Sequence, residues 1–173
     1  DADLSVTSWQ ILVLHAARQC GYDVDPLVFD KSLRYVNRAF RRTEDGPAGF
    51  LYHQNNSPGP ERAVSGVAIF VKHLLEGESD KRSREALAFV RRTEPSWGGR
   101  QYNGYFFFGT FYMAQGMFQV GDEAWADFAP KIQRILIEHQ QEDGRWDVPP
   151  DNHEQSRLAG PAYPTAMAVL ILS

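Results

Sequence analysis

Two patterns of apolar residues alternate along this chain. In the first, the apolar positions leave no polar side, as in Trp9 to Ala17, Val64 to Leu75, Phe106 to Phe118 and Ala166 to Leu172. Helices of this kind need cover on both sides. In the second, apolar residues recur at helical spacing along one stripe only. Phe29, Leu33, Val36 and Phe40 make such a stripe, with Lys31, Arg34, Arg38 and Arg42 opposite; Trp125, Phe128, Ile132, Leu136 and His139 make another, backed by Asp127, Lys131, Arg134 and Glu138. Ser83 to Arg92 is a shorter example. The pattern predicts inner and outer helices in alternation, with strand almost absent.

The punctuation repeats too. A small hydroxyl residue stands near the opening of each inner helix: Thr7, Ser65, Thr110 and Thr165. Each outer helix closes in a turn rich in glycine and acid, followed or accompanied by an aromatic, at Phe50, Trp97 and Trp146. That period of roughly 50 residues suits stacked helical hairpins. Pro164 fits the first turn of the last inner helix, where a missing N–H costs nothing. Asn55 to Pro60 and Asp147 to Pro161 read as loops between hairpins.

Composition narrows the classes. With 173 residues, 43% of them hydrophobic, the chain can bury one core and is read as a single domain over 1–173. A net charge of -4 gives no electrostatic reason to expect nucleic acid. No apolar run is long enough for a transmembrane segment. The lone Cys20 excludes an internal disulfide. The chain starts at Asp1 and stops at Ser173 inside an apolar run, and is read as a fragment of a larger protein, any targeting segment lying outside it.

The segment from Gln141 to Trp146, QEDGRW, closes an amphipathic helix and resembles the Gln…Gly-x-Trp repeat of squalene-hopene cyclases and other terpenoid cyclases. Asp3 to Gln10, Tyr105 to Trp125 and Tyr163 to Leu172 are similar to bacterial proteins carrying prenyltransferase and squalene-oxidase repeats, a family of largely unassigned function. The resemblance covers nearly the whole chain and implies an all-α fold: an α/α toroid, here a partial barrel of about three and a half hairpins. It implies less about chemistry, because such toroids host cyclases, protein prenyltransferases and thioester domains alike.

Cyclases of this kind protonate an alkene with an aspartic acid in an Asp-x-Asp-Asp-Thr motif. By that resemblance Asp3 stands at the donor position, but Leu4 replaces the next carboxylate, and Asp3 or Ser5 reads equally as a helix cap. On the aromatic stretch, Tyr105, Phe108, Tyr112, Gln115 and Gln119 project to one side as a cavity wall would. Phe107, Phe111, Ala114 and Phe118 project to the other, for packing. With Trp9, the first set forms the candidate ligand-binding face; core packing is the alternative. The resemblance to prenyltransferases calls for a zinc set of Asp, Cys and His, yet His15, His53, His73, His139 and His153 show no ligand-like spacing to Cys20. Neither a metal nor a cofactor is expected. Cys20-Gly21-Tyr22-Asp23 departs from a thioester motif, and the basic face of Lys31, Arg34, Arg38 and Arg42, which could touch anionic lipid or an acidic partner, reads better as the solvated side of an outer helix.

The expectation is therefore a cyclase-like repeat domain without an intact catalytic motif. Its concave aromatic face would take an apolar small molecule, such as an isoprenoid, or a protein partner. The last inner helix, lacking an outer helix to follow it, points to the missing remainder of the protein or a second copy as a further partner. The alternative is an isoprenoid-processing enzyme with Asp3 as proton donor, completed by residues outside this span.

Overall fold

The computed structural model describes residues 3–44, 46, 48–77, 80–99, 105–150 and 153–173. Among these, the elements are α1 (Leu4–Gln19), α2 (Pro26–Arg38), β1 (Phe40–Arg42), β2 (Ala48–Phe50), α3 (Arg62–Glu76), α4 (Lys81–Arg91), α5 (Phe106–Val120), α6 (Asp122–Glu138), α7 (Glu154–Leu158) and α8 (Ala162–Leu172). The protein is mostly helical. The helices begin where the sequence supplies caps. Asp3, Asp25 and Asp80 accept from Val6, Leu27 and Ser83 amides at the starts of α1, α2 and α4, and Pro26 occupies the first turn of α2.

The four helices predicted as apolar all round form a row in the order α1, α3, α5, α8, each packed on the next. The amphipathic helices flank that row: α2 lies against α1 and α3, α4 against α3, and α6 against α5 and α8. The core sits between the two sets, with Val36, Val64, Ala68, Ile69, Ala86, Phe106, Met113, Ile132 and Leu136 all buried. The closest approach is between α3 and α5. A Cβ on Gly66 would stand 2.9 Å from the Met113 backbone, and one on Gly116 would stand 2.9 Å from the Gly66 carbonyl oxygen. Only glycine at both positions lets the two backbones touch.

The repeat punctuation has a physical purpose. The amide of Phe50 donates to the Ser65 hydroxyl at 2.9 Å, and the amide of Trp146 donates to the Thr165 hydroxyl at 3.1 Å. In both cases the aromatic that closes one hairpin is tied to the helix that opens the next. Thr110, the corresponding residue of α5, instead has a buried hydroxyl without a partner among the described residues. Trp146 is 4% exposed, and its indole N–H donates to the Leu136 carbonyl at 2.7 Å. Gly144 makes that turn at φ +86°, and the turn is closed by the Gln141 amide on Arg145 O and by the Gln140 side chain on Gly144 O, both at 2.9 Å. The Gln141 side chain makes a longer contact, at 3.5 Å to His139 O.

Four expectations need correction. Phe40 and Arg42 do not continue α2; they lie in β1, which pairs antiparallel with β2 in the register Phe40↔Phe50. The two rings meet edge-on at 5.3 Å, a cross-strand contact that outweighs the helical spacing. The loop from Asp147 to Pro161 contains the short helix α7. Phe118, assigned to packing, is 58% exposed although it leans edge-on against Trp125 of α6. Finally, apolar character all round does not guarantee cover: Val6, Trp9 and Val13 of α1 and Val169 and Leu170 of α8 are half exposed or more. These helices are the ends of the row.

One buried charge joins the layers. Lys72 of α3 is wholly buried and donates to Asn37 of α2 at 2.8 Å and to Glu76 at 2.7 Å, with the Asp80 carboxylate at 3.3 Å. Burial pushes the Asp80 carboxyl up, but the Ser83 amide and hydroxyl, together with the Lys72 ammonium, hold it below its ordinary value. A fully buried ammonium is tolerable only with such a full set of partners.

Candidate functional site

The aromatic face divides into three parts. Trp9 of α1 meets Tyr112 of α5 edge-on at 5.9 Å, and Tyr112 meets Phe108 one turn earlier at 5.0 Å. These three residues form a continuous track across the row from α1 to α5. Tyr112 is its buried centre, at 1% exposure, while Trp9 is half exposed and Phe108 partly so. Tyr105 belongs to the far end, where its ring stacks on His153 at 5.3 Å. Gln115 is half-buried on the same helix, further along from the cleft.

Beside Tyr105 and Phe108 lies an open cleft of about 220 Å³, whose other walls are Ser156 and Ala159 at α7 and Tyr163 at the start of α8. Sequence reasoning missed Ser156, Tyr163 and His153. The signal available was Tyr163 at the head of an apolar helix, a position that brings a polar tip to the edge of an apolar surface. Burial raises the Tyr112 hydroxyl well above its ordinary value, and the charge Tyr163 would carry raises it further; burial alone raises Tyr163. Both stay protonated across the physiological range. The Tyr112 hydroxyl has no hydrogen-bond partner among the described residues.

Asp3 lies in a different place. Its carboxylate accepts from the Val6 amide and the Ser5 hydroxyl, both at 2.7 Å, while Ser5 also approaches the Tyr52 hydroxyl at 3.4 Å. Burial pushes the carboxyl up, but the bonds from Ser5 and Val6 and the nearby His53 outweigh this and hold it below its ordinary value. The geometry is that of a helix N-cap. Leu4 is buried beneath it, its amide bonded to Tyr52 O at 2.9 Å.

The outer side of α8 bounds a broad apolar groove of about 680 Å³ lined by Pro161, Ala162, Thr165, Ala166, Val169 and Leu170, with Arg145 at its edge. Among the described residues no group of three His, Cys, Asp or Glu side chains is placed to hold a metal ion, and no helix is long and apolar enough to cross a membrane. No family model, no curated protein and no solved structure matches the chain.

Proposed function

We propose that this chain is a cyclase-like or prenyltransferase-like repeat domain of the α/α-toroid type that binds an apolar ligand rather than transforming one. The observation that carries the reading is the ring track Trp9–Tyr112–Phe108. Neighbouring helix axes in a packed row stand about 8–10 Å apart. Rings from the first and third helices meet readily when the row bends toward their side, as the arc of a toroid would. A concave face carrying rings is suited to flat or chain-like apolar molecules. The half-exposed Trp9 is the accessible edge of that face.

The catalytic alternative is less well supported by Asp3. Protonating an alkene demands a strong acid that is present in its protonated form, whereas Asp3 is held as a carboxylate by two donors. A neutral apolar fluorophore, phenylnaphthylamine, tests the binding reading. It should bind saturably, and Trp9→Ala should weaken it several-fold; linear, non-saturating uptake would sink the reading. Incubation with squalene and with prenyl diphosphates tests the alternative. A cyclised product lost in Asp3→Asn would establish the enzyme in its place.

The bare sides of α1 and α8 support a second element of the proposal, a partner surface. The remainder of a larger protein or a second copy of this chain would continue the row by covering Val169 and Leu170.

A further inference from the structure

We propose that the outer surface of α2, β1 and α4 docks on an anionic lipid bilayer, held against it by basic residues and anchored at one edge by Leu27. This goes beyond the ligand-binding reading above and does not depend on it.

The charges of the chain are segregated. Between Pro26 and Arg42 stand Lys31, Arg34, Arg38, Arg41 and Arg42, against the single acid Asp30. Between Lys81 and Arg92 stand Lys81, Arg82, Arg84, Arg91 and Arg92, against the single acid Glu85. More than half of the chain's 18 Lys and Arg residues therefore lie in these two segments, although the net charge of the whole is -4. All of these basic residues are exposed. Solvation alone does not call for such segregation. α6, the third outer helix, mixes its signs: Asp127 and Lys131 pair at 2.7 Å, with Arg134 and Glu138 further along. Crowding one sign on α2 and α4 is self-repulsive, a cost that an anionic surface removes.

Two contacts bring the basic segments together. Lys72 of α3 reaches Asn37 of α2 at 2.8 Å and Asp80, the cap of α4, at 3.3 Å, so α2 and the start of α4 lie on the same side of α3. Arg42 of β1 also pairs with Glu85 of α4. On α2, Phe29 and Val36 are buried, and Lys31, Arg34 and Arg38 fall on the opposite side at spacings of three and four residues. Leu27 continues that stripe and is 56% exposed. On α4, Ser83, Ala86 and Val90 are buried, and Lys81 and Arg84 fall opposite.

A basic face with an apolar residue at its edge suits a bilayer interface, where the cations meet lipid phosphates and carboxylates and the apolar side chain enters the boundary beneath. Nucleic acid suits it less. Phe29 and Phe89 are buried and Tyr35 and Phe40 half-buried, so α2, β1 and α4 offer no exposed ring on which a base would stack. Screening over about 8 Å at physiological salt keeps the acidic remainder of the chain from cancelling the attraction.

Vesicle flotation tests the proposal, with phosphatidylcholine alone and with phosphatidylcholine containing phosphatidylserine. The intact chain should float with the mixed vesicles only, and raised salt should release it. Each cation at the surface strengthens binding about fivefold, so Arg34→Gln/Arg38→Gln and Lys81→Gln/Arg92→Gln should each weaken it about 30-fold. These positions are exposed, and far-ultraviolet circular dichroism checks that the helices persist. Arg134→Gln/Arg157→Gln removes the same charge from α6 and α7 and should leave binding near that of the parent. Leu27→Ser should weaken binding several-fold. Equal binding to both kinds of vesicle, binding to neither, or a control pair that loses as much as the α2 and α4 pairs overturns the proposal. So does capture of polyglutamate or an oligonucleotide by a chain that ignores the mixed vesicles, because the acidic partner is then not lipid.

Discussion

α3 and α8 are both apolar along nearly their full length, yet one is wrapped and the other half bare. Val64, Val67, Ala68, Ile69 and Val71 of α3 are all buried, while Val169 and Leu170 of α8 face outward. Hydropathy alone does not separate the two. The difference lies in small residues that permit contact. α3 carries Gly66 where α5 presses on it, and α5 answers with Gly116. α1 and α8 contain no glycine. A middle helix of a row must accept neighbours on both sides at backbone distance, and an end helix must accept only one. Placement in the row is therefore written in where the glycines fall.

The largest effect expected concerns the covered side of α8. Trp146 joins the end of α6 to the start of α8 through Leu136 and Thr165, so Trp146→Ala should cost about 3–5 kcal/mol in urea denaturation. A loss under about 1 kcal/mol would mean that α8 is as loosely held on its inner side as on its outer one. Next comes Gly66→Ala, whose added methyl meets the Met113 backbone at 2.9 Å. Backbone cannot swing aside like a flexible side chain, so about 1–3 kcal/mol should be lost. Indifference to that substitution would remove the close approach on which the comparison rests.

At the bare end, the cap of α1 gives a smaller and pH-dependent effect. Asp3→Ala should cost about 1 kcal/mol at neutral pH. The folded carboxyl titrates below its ordinary value of 3.8, so its contribution is full above that value and is lost as pH falls through the lower folded one. Wild type and variant should therefore converge in stability under acid, and a gap that persists at the lowest pH would contradict the capping role. Asp80→Asn offers a parallel reading at α4, where the carboxylate also faces Lys72.

The alternation of helices was legible because each amphipathic stripe is a local pattern, complete within four turns. The closing aromatics and opening hydroxyls were legible as a period, and two ties, Phe50 to Ser65 and Trp146 to Thr165, explain it. The hairpin at Phe40 was not, because strand pairing depends on a partner ten residues away while the helical spacing of Phe40 is read from its neighbours. Lys72 was hidden for the same reason: Asn37, Glu76 and Asp80 converge on it from three elements, and a lone lysine in an apolar helix advertises nothing. Of the candidate face, Trp9, Phe108 and Tyr112 do come together. Tyr105 parts from them toward His153, since the cleft wall it joins is supplied by α7 and α8, and Asp3 sits with Tyr52 and His53 instead.

The smallest effect on stability is expected on the outer side of α8, and it sharpens the comparison most. Val169 and Leu170 are 55% and 50% exposed, so replacing both by serine removes little burial, and stability should change by less than about 0.5 kcal/mol per site. Ala168 and Ile171, their neighbours on the same helix, are buried, so the same change there is no equivalent. Association should respond in the opposite proportion. An apolar groove of about 680 Å³ along the outward side of α8 favours contact with another surface, and serine weakens that contact without touching the core. Sedimentation at rising concentration should show self-association in the parent chain and a shift toward monomer in Val169→Ser/Leu170→Ser. Should the double variant instead lose 2 kcal/mol or more, the outer side of α8 is covered within the chain itself, and α8 is a middle helix rather than an end. A parent chain that stays monomeric throughout would remove a second copy as its partner.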